Sequence, residues 1–173
     1  MTASSNTCSP RPPLPEAAVP VPPVPADYPR VAPHLAVDGA AAAIDFYVSA
    51  LGARPRGGRM TLPDGRIAHA ELMFGDALVM LADADAGSGF PGPDDVGGTP
   101  VTLHLYVEDV DAVFAAAIEA GARRLAPVAT RFYGDRSGLL RDPWGHRWNV
   151  ATHVEDVPEA EMDRRRREQF GGA

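Results

Sequence analysis

The chain has 173 residues, 16 Lys and Arg against 23 Asp and Glu, a formal net charge of −7 and 45% hydrophobic residues; that length allows one domain or two small fused modules with a sizeable core. The acidic balance argues against nucleic acid as a partner, because phosphate binding needs a clustered basic surface, and the single Cys8 rules out a disulfide framework or a thiolate metal centre. No segment approaches the roughly 20 apolar residues of a membrane span, and the N-terminus lacks a secretory signal pattern, so a soluble cytoplasmic protein is expected.

Residues 1–27 hold many of the 18 prolines and show no apolar periodicity. Such a leader buries too little surface to offset its ordering entropy and is expected to be a disordered tail. From residue 28 the pattern becomes regular. RVAPHLAV alternates as a strand, and AAAAIDFYVSALGA sets Ile44, Tyr47, Val48 and Leu51 on one helical face before Gly52. ARPRGGRMTL, RIAHAELMF and ALVMLAD follow as three strands, parted by turns at Pro63-Asp64-Gly65 and Gly75-Asp76.

Residues 84–99, rich in Gly and Pro, read as a linker with no element of its own. The order then restarts. VTLHLYV is a strand, DVDAVFAAAIEAGA a helix with Asp109 or Asp111 near its N-cap, and RRLAPVATRF, SGLLRD and HRWNVATH three more strands, with Asp142-Pro143-Trp144-Gly145 as the last turn. VPEAEMDRRRREQF reads as a charged helix begun near Pro158, its Arg164–Arg167 run a solvated face.

An offset of seventy residues aligns His34 with His104, Leu35 with Leu105, Val37 with Val107 and Asp38 with Glu108. The same strand, turn and helix recurring in order signals an internal duplication. Modules of about 60 residues are small for separate cores, which favours one α+β domain of two pseudo-symmetric βαβββ modules enclosing a shared cleft. The expected boundaries are 28–157 for the domain, with modules 28–83 and 100–157, and 158–173 for the C-terminal helix and tail.

The paired modules, with IDFYVSALGA in the first and GHRWNVATH closing the second, resemble the vicinal oxygen chelate superfamily, which includes glyoxalases, bleomycin resistance proteins and dioxygenases. HAELMFGDALVMLAD, LHLYVEDVDAVF, FYGDRSG and DPWGHRW are closer still to its PhnB-like branch. The resemblance implies the glyoxalase/bleomycin resistance fold, a homodimer and a small-molecule ligand. In metal-using members each module supplies one ligand from its first strand and one from its last. Here those positions fall on Ala32, on Thr102, on Asn149 and within Val79 to Leu81, none a strong ligand for a divalent metal. No cofactor is therefore expected.

Strand parity turns Ala32, His34 and Ala36 toward the cleft, with Thr102, His104 and Tyr106 as their counterparts, and His69, Glu71 and Met73 on one face of their strand. His34, His69, Glu71 and His104 could form a shifted site for zinc, iron or manganese, or the two repeated histidines could be held by hydrogen bonds alone. Glu71 could act as a general base with His69, or pair with an arginine such as Arg66 or Arg147. Candidate ligand-binding residues are His34, His104, Tyr106, Phe132, Tyr133, Arg136, Trp144, Arg147 and Asn149; Phe132 to Arg136 suit a loop over a planar ligand, or a dimer contact. Trp148 fits either the pocket or the core.

The expected function is a small-molecule-binding protein of the bleomycin resistance type, sequestering or processing a natural product or metabolite without the metal tetrad. The alternative is a lyase, isomerase or dioxygenase using the shifted metal site or the Glu71/His69 pair. A third possibility is a protein-interaction module in which the leader or the arginine-rich tail is the working part.

Overall fold

The computed structural model describes residues 21–171. The expectations for most of the proline-rich leader and for Cys8 lie outside the described residues. Residues 21–30 belong to a unit apart from the rest and carry only turns, in one of which the Tyr28 amide donates to the Pro25 carbonyl. No helix among the described residues is long and apolar enough to cross a membrane.

From Val31 the chain follows the repeated order: β1 (His34–Val37), α1 (Ala40–Leu51), β2 (Arg54–Thr61), β3 (Ile67–Phe74), β4 (Ala77–Asp83), then β5 (Thr102–Tyr106), α2 (Val110–Glu119), β6 (Arg123–Thr130), β7 (Asp135–Arg141), β8 (Arg147–His153) and a final α3 (Glu159–Phe170). Two four-stranded sheets result, ordered β1-β4-β3-β2 and β5-β8-β7-β6. In each, the first strand runs parallel to the last and the other pairs are antiparallel. The duplication read in the sequence is a duplication of structure.

Three local expectations are corrected. β1 begins at His34 and not at Arg30, because Pro33 has no amide to donate and contributes only its carbonyl, to the Met80 amide. Val48 is partly exposed while Phe46, Ala43 and Ala50 join Ile44, Tyr47 and Leu51 in the core, so the buried stripe of α1 lies one position over. The linker has structure of its own: a single 3₁₀ turn at Ala86–Ser88, closed by Asp85 bridging to Phe90.

The helices start differently. α2 is capped by its own Asp109, which accepts from the Ala112 amide, while Thr152 accepts from the Val110 amide. α1 starts at Gly39, in the left-handed region, with no local cap; Asp83 from β4 instead accepts from the Gly39 and Ala40 amides, each at 2.9 Å, and from the Ile67 amide at 2.6 Å.

α1 packs on β2, β3 and β4, α2 packs on β6, β7 and β8, and the helices pack on each other. One hydrophobic cluster runs through both modules, from Ile44, Tyr47 and Leu81 to Leu140, Trp148 and Val150. Strand alternation therefore sends every second side chain of each sheet to a face that neither α1 nor α2 covers.

The turn between β7 and β8 ties the modules together. Asp142 is buried; its Oδ2 accepts from the Tyr47 hydroxyl at 2.7 Å and from Trp148 Nε1 at 2.9 Å, and its Oδ1 accepts from the Trp144 and His146 amides. Trp144 Nε1 donates to the Asp38 carbonyl, and His146 Nε2 lies 3.0 Å from the Ala36 carbonyl. Burial and the neighbouring Asp142 carboxylate raise the Tyr47 phenol well above its ordinary value, so it stays a donor. The corresponding turn of the first module is only Gly75-Asp76 between β3 and β4.

Candidate ligand-binding site

The expected polar residues divide between the two open faces. On the first sheet, the register sets His34 beside Met80, Met80 beside Glu71 and Glu71 beside Arg56. His69 Nε2 lies 3.2 Å from Glu71 Oε1, and Arg56 Nε lies 3.7 Å from Glu71 Oε2. The arginine beside Glu71 is thus Arg56; Arg66 bonds to Asp64 and Asp85. The His34 ring stands edge-on to His69, centroids 5.7 Å apart, and against Phe90 at 4.9 Å. Burial, and then the nearby His69, push the His34 imidazole below its ordinary pKa.

On the second sheet three rows cross the open face: Thr102, Arg147, Arg141 and Arg123; then His104, Asn149, Leu139 and Ala126; then Tyr106, Ala151, Ser137 and Ala129. Asn149 Nδ2 lies 3.0 Å from His104 Nδ1, and the Tyr106 ring is 4.7 Å from that of His104. The Tyr106 hydroxyl donates to Asp135 Oδ2 at 2.8 Å, and His153 Nδ1 lies 2.8 Å from Asp135 Oδ1. Burial works to raise the Asp135 carboxyl; the hydrogen bonds from His153 and Tyr106, with the charges of His153 and His104, outweigh it and hold the group below the ordinary carboxylate range. Asp135 and then Asp156 raise His153 in turn, and Asp135 raises Tyr106.

An open pocket of about 600 Å³ lies over this face. Its floor carries His104, Asn149, Arg147 and Leu139, and its rim Phe132, Tyr133 and Phe170. The rim is built by the β6–β7 loop and by α3, with Phe132 edge-on to Tyr133 at 5.2 Å and to Phe170 at 5.7 Å. Gly134 makes the loop possible: its φ is +99°, and a Cβ there would lie 2.0 Å from the Glu155 carbonyl oxygen. The Val154 and Glu155 amides donate to the Gly134 carbonyl, and Arg165 of α3 pairs with Glu155, so loop and helix share one anchor. Arg164 and Arg166 are also paired with acids, so three of the four arginines of the basic run are neutralised.

Two further cavities are lined by both modules. One, of about 360 Å³, lies between the starts of β1 and β5 and takes in Ala32, His34, Val101, His146 and Arg147. The other, of about 910 Å³, runs along β5 past Leu51, Phe74, Val79 and Trp148, with His104 at its edge. Both are mainly apolar, and the histidines and Glu71 expected to share one cleft are parted between the two sheets.

Two expected ligand-binding residues are placed elsewhere. Arg136 is bound bidentately by Asp111 in the first turn of α2, at 2.6 and 2.7 Å, because it alternates to the helix side of β7. Trp144 packs edge-on to Phe46 at 5.6 Å as part of the junction between modules. Trp148 is core, only 2% exposed.

The residues present do not fit the superfamily's metal. Met80 stands beside His34 as Asn149 stands beside His104, so the positions the resemblance implies would carry Ala32, Met80, Thr102 and Asn149. Oxygen of an amide or hydroxyl, a thioether and a methyl do not make a site for zinc, iron or manganese. Among the described residues no three His, Cys, Asp or Glu side chains gather as a metal site requires; His34, His69 and Glu71 share a face, and His104 pairs with Asn149 on the other sheet.

Sequence reasoning missed Arg56, His153, Arg131 and Phe170, and put Asp135 in the loop where the structure starts β7 with it. Alternation from Arg147 through Asn149 puts His153 on the open face, so its signal was present; the loop and α3 residues have no periodicity to place them.

Residues 29–150 match the model of the Glyoxalase/Bleomycin resistance protein/Dioxygenase superfamily. An uncharacterised protein of Mycobacterium tuberculosis, Rv0887c, is 45% identical over 132 residues, 75% of this chain and 77% of its own length. Among solved structures, TioX from Micromonospora sp. ML1 aligns with a TM-score of 0.54 at 25% identity, covering 75% of this chain and all of its own. The gene product At5g48480 of Arabidopsis thaliana aligns at 0.58 and 28% identity over 72% of this chain and 98% of its own. The PhnB protein of Bacillus cereus shares the fold at 0.55 and 20% identity, over 72% and 99% of the two chains.

Proposed function

Because the chain belongs to the glyoxalase/bleomycin resistance protein/dioxygenase superfamily, we propose that it binds a small molecule, a natural product or metabolite, without a metal, in the pocket on the open face of the second sheet. The observation that carries this is the pairing of an aromatic rim, Phe132, Tyr133 and Phe170, with the polar floor of His104, Asn149 and Arg147. Tyr106 extends the floor toward Asp135. Sequestration of a toxic natural product is the form this takes in a cytoplasmic resistance protein. The test is a titration of the protein with planar aromatic compounds, followed by amide chemical shifts. Shifts clustered on Leu139, Asn149 and the Phe132 loop, with binding weakened about tenfold or more in Phe132→Ala, are expected. Shifts confined to the first sheet would sink the reading.

The metal-free part is tested by elemental analysis of protein purified without chelator. Stoichiometric zinc, iron or manganese that is lost in a His34→Ala/His104→Ala variant would overturn it. A second reading, general acid–base catalysis by Glu71 with His69, is favoured by the 3.2 Å contact between them. There, loss of turnover in Glu71→Gln with ligand affinity kept would support an enzyme.

The same proposal takes the protein as a homodimer, with no nucleic-acid or membrane partner. Exposed Met60, Val101 and Tyr106 and the uncovered sheet faces favour a second copy, and the net charge of −7 disfavours nucleic acid. A single-chain mass by light scattering at working concentration would exclude the dimer.

A further inference from the structure

We propose that the ligand of the second-sheet pocket carries an oxyanion group, a carboxylate or a phosphate, on a planar body, and that Arg147 receives it; the inference rests on the pocket being the binding site. The register sets Arg123 beside Arg141 and Arg141 beside Arg147 in one row across the sheet. Like charges directly opposite on neighbouring strands destabilise a sheet, and among the described residues only Arg141 of the three has a carboxylate partner, that of Asp94. Among the described residues Arg147 Nε is buried with no hydrogen-bond partner, although a buried N–H ordinarily finds an acceptor. Arg131, at the other end of the pocket, gives Nε and Nη2 to the hydroxyl and carbonyl of Ser137 and pairs with no carboxylate among the described residues.

Among the described residues no Asp or Glu lines this pocket, in a chain where acids outnumber Lys and Arg by 23 to 16. Asp135, the nearest carboxylate on the strand, is taken up by Tyr106 and His153. The first sheet shows the alternative. There Glu71 stands beside Arg56, and the second sheet puts Leu139 in the place of Glu71, beside Asn149 as Glu71 is beside Met80. Ala126 stands where Arg56 would, and Arg147 comes from the last strand, diagonal to Leu139, so the place that holds an acid on the first face leaves the arginine of the second for an acid from outside. Charge-assisted, bidentate contacts of guanidinium with carboxylate or phosphate are the strong ones, and the aromatic rim suits a planar body beyond the charged end.

The experiment compares 2-naphthoate and 2-naphthyl phosphate with the neutral, similarly shaped 2-naphthamide by calorimetric titration of the full chain. At least one of the anions is expected to bind about tenfold or more tightly than the amide. Arg147→Met should remove that preference, and Arg147→Lys should restore part of it. Arg147 makes no hydrogen bond through Nε, so these variants are expected to fold; equal melting temperatures check this, and Leu139→Glu, which supplies an internal acid, tests the same point without touching the arginine. Equal affinity of the anions and the amide would overturn the inference and leave the pocket standing. Binding of none of the three would overturn both.

Discussion

The two open sheet faces descend from one pattern and have been finished in opposite ways. On the first, polar groups answer one another: His69 and Arg56 both approach Glu71, His34 lies between His69 and Phe90, and Met60, Met73 and Met80 occupy the intervening places. On the second, the floor keeps Arg147 without a hydrogen bond to Nε, an amide and an imidazole paired at one edge, and an aromatic rim supplied by the β6–β7 loop and α3. The duplication keeps backbone positions, and a change at one of them, glutamate to leucine between Glu71 and Leu139, alters what the face can accept.

Four experiments break or sharpen that comparison. The largest effect is expected from Asp142→Ala, which leaves the Tyr47 hydroxyl and Trp148 Nε1 buried without an acceptor. A loss of about 3 kcal/mol or more in urea unfolding is expected, in one transition, because the core is shared. Two separate transitions would show that the modules fold independently.

Next, Gly134→Ala forces a side chain to a φ of +99° and against the Glu155 carbonyl. It should cost about 1–3 kcal/mol and should weaken ligand binding at the rim without disturbing the first sheet. Unchanged affinity would detach the rim from the site.

Leu139→Glu, with Glu71→Leu as its mirror, exchanges the character of the faces. The first should lower 2-naphthoate affinity about tenfold; the second should leave it within about twofold. An equal effect of both would dissolve the distinction between the faces.

The smallest and most specific effect is on two histidines that titrate in opposite directions. His153 is raised by Asp135 and Asp156, so its contribution to stability is complete below its unfolded value, near the ordinary 6.5, and is lost as pH rises through the raised folded value. His34 is lowered by burial and by His69, so the folded state resists its protonation, and stability is lost as pH falls from the ordinary value through the lowered one. Imidazole shifts followed by NMR should place His153 above His34, and Asp135→Asn should bring His153 down while leaving His34 in place. A His153 titration unmoved by Asp135→Asn would remove the carboxylate as its cause.

Much of this architecture is legible in the sequence. The spacing of His34 and His104 marks the duplication, alternation assigns the open faces, and Asp109 announces the start of α2. What is not legible depends on partners far along the chain. The cap of α1 comes from Asp83 and not from the adjacent Asp38, because only the parallel pairing of β1 with β4 brings Asp83 to Gly39. Asp142 reads as a turn residue, and its bond to Tyr47 spans 95 positions. Arg136 belongs with an aromatic loop by sequence and is taken by Asp111 in space, since one residue of strand alternation reverses its side. The pairing of Glu71 with Arg56 in place of Arg66 depends on the register of β2 against β3, which a bulge shifts.

The Asp142 turn also bears on how such a chain can be assembled. A polypeptide carrying only the first copy would present the Ala36 and Asp38 carbonyls and the Tyr47 hydroxyl to a second polypeptide, and joining would depend on the concentration of both. Tethering the copies through residues 84–101 makes that encounter intramolecular and independent of the concentration of a second chain. The tether leaves each sheet free to diverge, because the partner that completes the junction is always the same molecule.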